Sequence, residues 1–224
     1  MILLNPGPVT LSDRVREAML RPDLCHREPE FTTLQSSIRA RLLAVHDLDP
    51  AVWAAVLLTG SGTAAVEAMI ASLVPRGGRL LVAENGVYGE RMRTMAERHG
   101  IDVLTARADW QGTINLDGVR ASLTTDRGIT HVAAVHHETT TGRLNDLAPL
   151  AALCTEFGVD MLLDTVSSFG AERLDFAQWP IAACAATANK CLHGVPGTSF
   201  VIIRRDALAA SDAKRTLYLD LTAY

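Results

Sequence analysis

The sequence lacks the features of several other classes of protein. No apolar run approaches the roughly 20 residues that cross a bilayer, and residues 1–6 lack the charged and apolar regions of a signal peptide. The four cysteines form no CxxC pair and no zinc-type spacing, which favours reduced thiols and a cytoplasmic protein. A net charge of −4 gives no reason to expect nucleic acid or a membrane as partner. Without a GxSxG turn, a serine hydrolase would lack its nucleophile.

What is present suits one α/β domain. The chain has 224 residues, 48% of them hydrophobic, enough for a substantial core. From residue 52 onward apolar runs alternate with helical patterns, which predicts a three-layer α/β sandwich with a mostly parallel sheet. We expect strands over 52–58, 79–83, 101–106, 131–135, 159–163, 181–187 and 198–204, the last one hairpin-like. Helices are expected over 31–45, after 63, over 88–99, after 115 and over 146–157. A capping box of Thr10 and Asp13 predicts an earlier short helix that ends before Pro22.

Polar clusters follow five of the expected strands. Because ligands of parallel sheets bind outside the carboxyl ends of the strands, these clusters predict one binding site at one edge of the sheet. The clusters are residues 60–63, 84–89, 136–142, 164–168 and 187–190.

Two of these clusters carry ionisable side chains with a specific chemistry. Lys190 follows a buried strand, and a lysine in a desolvated site loses its proton easily, as a Schiff-base lysine must; the alternative is a lysine that extends along the surface. Asp164 ends another buried strand, where a carboxylate needs a cationic or N–H partner. It is either a turn-capping aspartate or the partner of a protonated ring nitrogen in pyridoxal phosphate (PLP).

The segment Gly60-Ser61-Gly62-Thr63 lies between a strand and a helix, where it forms either a phosphate cradle or a tight turn with a helix cap. The same residues fit a GxGxxA dinucleotide fingerprint with Glu84 as the ribose-binding acid, which would predict a nicotinamide or flavin oxidoreductase. That alternative leaves Lys190 without a role.

Residues 136–142 are polar and follow a strand. A metal site of His136, His137 and Glu138 is disfavoured because adjacent strand residues point to opposite faces. Threonine hydroxyls there suit hydrogen bonds to a ring substituent. Tyr88 opens a helix, from which it could stack on an aromatic cofactor or simply pack.

Taken together, these segments resemble the class V aminotransferases of PLP fold type I, and most closely their 2-aminoethylphosphonate–pyruvate branch. The alternative branch is the alanine–glyoxylate or serine–pyruvate type. The matching segments, in order along the chain, are LNPGPV (4–9), GSGTAAVEA (60–68), NGVYGERM (85–92), HHETTTG (136–142), DTVSSFG (164–170) and ANKCLHGVPG (188–197).

The resemblance implies a role for each matching residue. Lys190 would bind the cofactor covalently and move the proton between substrate and cofactor, and Asp164 would hold the pyridinium. Tyr88 would stack on the ring, and Thr139 would contact its hydroxyl. The phosphate would be bound by Ser61, Gly62 and Thr63. The implied reaction moves an amino group from 2-aminoethylphosphonate to pyruvate, giving phosphonoacetaldehyde and alanine, and the implied assembly is a homodimer.

Family members continue beyond the point at which this sequence stops, into a small C-terminal domain. We therefore expect residues 1–50 to be an N-terminal extended segment with helices, 51–205 the PLP-binding large domain, and 206–224 the start of a truncated C-terminal region. The family's arginine for substrate anions falls in the missing part, so a PLP-binding domain without turnover is a further alternative. Asn5 and Arg27 are candidate substrate residues. No metal is expected.

Overall fold

The computed structural model describes residues 2–224 and has one large β-sheet between two layers of helices. Within that range the strands are β1 (Trp53–Thr59), β2 (Arg79–Glu84), β3 (Asp102–Arg107), β4 (Ile129–Val135), β5 (His137–Glu138), β6 (Arg143–Leu144), β7 (Asp160–Asp164), β8 (Ile181–Thr187) and β9 (Thr198–Arg204). The helices are α1 (Asp13–Ala18), α2 (Pro29–Ala44), α3 (Gly62–Leu73), α4 (Val87–Arg98), α5 (Leu116–Thr125), α6 (Ala148–Phe157), α7 (Arg205–Ala209) and a 3₁₀ turn (Leu221–Ala223).

The large sheet has the strand order β1-β9-β8-β7-β4-β2-β3. Strand β9 is antiparallel to both of its neighbours, β1 and β8, and the other pairs are parallel. Six strands therefore point the same way and end at one edge. The three-layer sandwich with a mostly parallel sheet is confirmed, and so is the hairpin-like strand over 198–204.

Both faces of the sheet are buried, which explains the continuous apolar runs of its strands. In β2, Leu81 belongs to the core cluster that includes residues of α5 and α6, whereas Leu80 and Val82 belong to the cluster on the opposite face that includes residues of α3 and α4. All three side chains are fully buried. At these strand positions an apolar side chain is required on either face, so strict alternation of polar and apolar residues is absent.

The start of the first helix differs from the expected capping box. The N-cap is Ser12, whose hydroxyl accepts a hydrogen bond from the Val15 N–H at 3.4 Å. Thr10 lies outside the helix because its hydroxyl accepts a hydrogen bond from the Leu3 N–H at 2.7 Å. No residue of α1 is buried.

Two further features were not predicted. The hairpin of β5 and β6 consists of two-residue strands, which are too short to give a periodic pattern. The last residues pack on α3, where the Ser72 hydroxyl donates to the Leu219 carbonyl at 3.1 Å and accepts from the Leu221 N–H at 3.0 Å. Among the described helices, none combines the length and apolar character needed to cross a membrane.

Candidate functional site

The polar clusters meet at one edge of the sheet, as predicted. Strands β1, β2, β4, β7 and β8 are parallel in direction, and their last residues are Thr59, Glu84, Val135, Asp164 and Thr187. Each of the polar clusters named above begins at one of these residues or directly after it. The site is therefore built on the ends of buried strands, which hold their positions rigidly.

Lys190 stands three residues beyond β8, in a turn, and is partly buried. The N-terminal segment lies directly against its side chain: a β-carbon at Gly7 would collide with Lys190 Cδ and would lie 3.0 Å from Nζ. Gly7 also has φ +153°. The sequence indicated an extended segment at residues 4–9, but nothing in it showed that this segment would reach a lysine far along the chain.

Asp164 ends β7 and is 6% exposed. Its Oδ1 accepts a hydrogen bond from the Val166 N–H at 2.9 Å, and among residues 2–224 its carboxylate forms no salt bridge. Burial raises its pKa to about 6, against the effect of the Val166 N–H; the charge of Glu138 raises it further, while Arg91 and Lys190 oppose that rise. A buried carboxylate with this little compensation is suited to a cationic N–H donor.

The segment that precedes α3 is open to solvent on its polar side. Ser61 is the N-cap residue, its side chain makes no capping hydrogen bond, and both Ser61 and Thr63 are exposed. The first N–H groups of a helix have no partner within it, so this segment can bind an anion. A β-carbon at Gly62 would lie 2.7 Å from Val166 Cγ2 and 3.5 Å from Thr187 Cβ. The helix start is thereby packed against the segments that carry Asp164 and Lys190.

Tyr88 is the second residue of α4 and is partly buried. The guanidinium carbon of Arg91 lies 4.7 Å from the centre of its ring. The same guanidinium donates to the Thr63 hydroxyl at 3.3 Å. Two predicted cofactor residues from different helices, Thr63 and Tyr88, are thus joined through Arg91, which the sequence analysis did not single out.

Thr139 lies in the turn between β5 and β6 and is partly buried. The preceding residue, Glu138, is fully buried. Its Oε2 accepts from the Tyr88 N–H at 3.1 Å and its Oε1 from the Thr140 hydroxyl at 2.6 Å. Sequence reasoning considered Glu138 only as a metal ligand; its position beside a threonine-rich turn at a strand end was the available signal for another role.

The two histidines of this segment are used in hydrogen bonds. His136 Nδ1 lies 2.9 Å from the Ser168 hydroxyl, and His137 Nδ1 lies 3.1 Å from the Ser167 carbonyl. Burial lowers the pKa of His136 to about 4, helped by the neighbouring His137 and His46, so its ring is neutral near pH 7. No cluster of three or more possible metal ligands occurs among the described residues.

Glu84 is buried between two arginines. Its Oε2 lies 3.0 Å from Arg93 Nε and its Oε1 lies 3.1 Å from Arg107 Nε. Both carboxylate oxygens are therefore engaged, and neither is free to bind a ribose. The structure does not support the dinucleotide interpretation of residues 60–65.

The two candidate substrate residues, Asn5 and Arg27, are both exposed. Within residues 2–224, neither side chain forms a hydrogen bond or salt bridge that would hold it at the site. Their assignment stays a prediction.

Comparison with known proteins gives consistent similarities. Residues 24–216 match the family model described as Aminotransferase class-V. The chain is 41% identical, over 98% of its length, to 2-aminoethylphosphonate–pyruvate transaminases of Bacillus cereus and Bacillus anthracis, and it spans 60% of the length of each.

Solved structures show the same fold. An alanine–glyoxylate aminotransferase from Nostoc sp. superposes with a TM-score of 0.87 at 32% identity, covering 99% of this chain and 59% of that one. An aspartate aminotransferase from Thermus thermophilus that belongs to subgroup IV superposes with a TM-score of 0.89 at 31% identity, covering 99% of this chain and 62% of that one.

Proposed function

The chain belongs to the class V aminotransferase family, and we propose that it binds PLP at the sheet edge and transfers an amino group from 2-aminoethylphosphonate to pyruvate. The family match and the names of the relatives at 41% identity support this proposal. The single structural observation that carries it is the buried Asp164, without a salt-bridge partner among the described residues, beside Lys190 and the open start of α3.

The described residues fit the cofactor in charge and in hydrogen-bonding capacity. Asp164 would accept the N–H of a protonated pyridine ring, which would supply the cationic partner that its buried carboxylate lacks. The helix N–H groups at Gly62 and Thr63, with the hydroxyls of Ser61 and Thr63, would bind the phosphate. Tyr88 and Thr139 would contact the ring and its hydroxyl.

When bound, PLP supplies an electron sink that stabilises negative charge on the substrate carbon. Lys190 would hold the cofactor through its aldehyde, and its amine is placed to act as the general base and acid at that carbon. Gly7 and its neighbours confine the Lys190 side chain on one side. The substrates are an amine and a 2-oxo acid, and Asn5 and Arg27 are proposed to contact them.

A second candidate function is that of the alanine–glyoxylate or serine–pyruvate type. The similarity to the alanine–glyoxylate aminotransferase of Nostoc sp. favours it. The two functions use the same cofactor chemistry and differ in the amino donor and, for the alanine–glyoxylate reaction, also in the acceptor. PLP binding without turnover is the third possible outcome.

We also propose a homodimer. The N-terminal part of the chain exposes several large apolar side chains, which an interface with a second copy of the chain would bury. The most exposed of these side chains are Ile2, Leu4, Met19, Leu20 and Leu24. Sedimentation of a monomer over a wide range of protein concentrations would refute the dimer.

The chain offers a sharp test of cofactor attachment because it contains two lysines, Lys190 and Lys214. Lys214 Nζ contacts Asp220 at 3.0 Å at the other end of α3. Adding PLP and then borohydride should fix a mass increase on the peptide of Lys190. The Lys190→Ala variant should lose that label, and the matched Lys214→Ala variant should keep it. Labelling of Lys190→Ala at the wild-type level would refute the assignment.

The donor is tested separately. With PLP bound, the protein is supplied with pyruvate and either 2-aminoethylphosphonate or serine, or with glyoxylate and either 2-aminoethylphosphonate, serine or alanine, and the consumption of each donor is measured. With glyoxylate as acceptor, transfer from alanine or serine but not from 2-aminoethylphosphonate would favour the second candidate. PLP labelling without transfer from any donor would refute turnover by this chain and leave the cofactor site intact.

A further inference from the structure

Arg91 is an exposed arginine on the first turns of α4, at the mouth of the site. Its guanidinium is held at two points, the Thr63 hydroxyl and the face of the Tyr88 ring. Thr63 belongs to the segment that begins α3. The arginine therefore spans from one helix to the anion-binding start of the other.

The charge of Arg91 is not neutralised by a neighbouring acid. Among residues 2–224 it forms no salt bridge, whereas Arg93, two residues further on, pairs with both Glu84 and Glu97. The nearest acidic residue in sequence, Glu90, accepts a hydrogen bond from Trp110 Nε1 at 3.2 Å instead.

Glu138, whose side chain reaches the first turn of this helix, is also engaged, and so is Glu67, which pairs with His99. Both carboxylate oxygens of Glu138 accept hydrogen bonds from other residues, Tyr88 and Thr140. The charge of Arg91 reaches the site, because it is one of the influences that lower the pKa of Asp164. The guanidinium thus carries an uncompensated positive charge and several unused N–H donors.

We propose that Arg91 is the cationic arm of the phosphate cradle and makes that cradle selective for a phosphorylated cofactor. This inference rests on the proposed function, because it assigns a residue to the phosphate end of the PLP site. A guanidinium presents N–H groups in a fork that matches two phosphate oxygens, and its charge complements the phosphate dianion. The helix N–H groups and hydroxyls supply no full charge, so an arginine adds the missing one.

The test compares two probes, PLP and pyridoxal, which differ only in the phosphate group. Binding of each is measured by its absorbance change with wild-type protein, Arg91→Gln and the control Arg98→Gln. Arg98 ends the same helix, is exposed and forms no salt bridge among the described residues. Denaturation curves establish that all three proteins are folded.

We expect Arg91→Gln to weaken PLP binding roughly 10- to 100-fold, the range for a lost charge-assisted hydrogen bond. Its affinity for pyridoxal should stay within about 3-fold of wild type, and Arg98→Gln should leave both affinities unchanged. Arg91→Lys should recover part of the PLP affinity, because it restores the charge without the fork.

Three results would overturn the inference. Unchanged PLP binding by Arg91→Gln would mean that the charge is not used. An equal loss for PLP and pyridoxal would mean that Arg91 acts through the Tyr88 ring and not on the phosphate. Failure of the wild-type protein to bind either probe would overturn the proposed function itself, and the inference with it.

Discussion

Glu138 Oε2 accepts a hydrogen bond from the backbone N–H of Tyr88 at 3.1 Å. This contact joins β5 to the first turn of α4. The N-cap of α4 is Gly86, which has no side chain to cap the helix, and a β-carbon at Gly86 would collide with the Glu138 side chain. A carboxylate from a different segment therefore caps α4, where a negative charge is also favourable for the helix dipole.

The cap predicts unequal effects of two substitutions. Glu138→Ala should lower the free energy of unfolding by about 2–4 kcal/mol, because it leaves a cavity, an unpaired Tyr88 N–H and an unpaired Thr140 hydroxyl. Glu138→Gln keeps an acceptor for the Tyr88 N–H and should cost about 1 kcal/mol. Urea denaturation measures both. Equal losses would show that the hydrogen bond to Tyr88 contributes nothing.

Gly7 predicts an effect on the reactivity of Lys190. A methyl group at position 7 would occupy the space of Lys190 Cδ, so Gly7→Ala should displace that side chain and slow its labelling by PLP and borohydride about 10- to 100-fold. The measurement is the initial rate of labelling by mass spectrometry.

The control for Gly7→Ala is Gly100→Ala. Gly100 has φ +66° and nothing within 4 Å of an added β-carbon, so its substitution introduces backbone strain of about 1–2 kcal/mol without a collision. Labelling of Lys190 should then proceed at the wild-type rate. If Gly7→Ala also labels at that rate, the N-terminal segment does not position the lysine.

The architecture could be predicted well from the sequence because it depends on strands that are buried on both faces. In β8 every position is buried and all but Thr187 are apolar, and the four central residues of β2 are apolar and buried. Such runs can be recognised in the sequence without any knowledge of the fold. The sheet edge followed from the direction of the strands. Lys190 and Asp164 could be singled out as candidate site residues because each follows or ends such a run.

What the sequence could not show depends on contacts between distant residues. The pairing of Gly7 with Lys190 and of Glu138 with Tyr88 joins segments that share no local pattern. Thr10 illustrates the same limit on a shorter scale. Its spacing to Asp13 suits a capping box, but its hydroxyl accepts a hydrogen bond from the Leu3 N–H of the preceding segment, and Ser12 caps the helix instead.

The buried Asp164 predicts a specific pH dependence of the cofactor-free protein. Its pKa is about 6 in the folded state against an ordinary value of 3.8. Between these values the folded protein binds more protons than the unfolded one, so Asp164 lowers stability as pH rises through this window, by at most about 3 kcal/mol. The asparagine of Asp164→Asn cannot ionise. The free energy of unfolding of this variant, relative to that of wild type, should therefore increase from pH 4 to 6 and stay constant above pH 7.

Asp126 serves as a control because its pKa is shifted in the opposite direction to that of Asp164. The hydrogen bond and charge of Arg79 lower its pKa, so wild type should lose stability relative to Asp126→Asn only as pH falls below 4. The comparison uses urea denaturation at each pH. A difference between wild type and Asp164→Asn that does not vary between pH 4 and 6 would contradict the burial of an uncompensated carboxylate.

The two arginines on Glu84 are predicted to be unequal because their burial differs. The side chains of Glu84 and Arg93 are 7% and 23% exposed, whereas that of Arg107 is 65% exposed. Arg107→Ala should lower the free energy of unfolding by less than about 1 kcal/mol, as is typical of exposed ion pairs. Arg93→Ala should lower it by about 2 kcal/mol or more.

The double variant leaves a buried carboxylate without any cation, so its loss of stability should exceed the sum of the two single losses. Replacing Glu84 by Gln in that double variant removes the buried charge and should recover part of the loss. If the double variant is merely additive and the glutamine recovers nothing, the two arginines do not hold Glu84 in place at the end of β2.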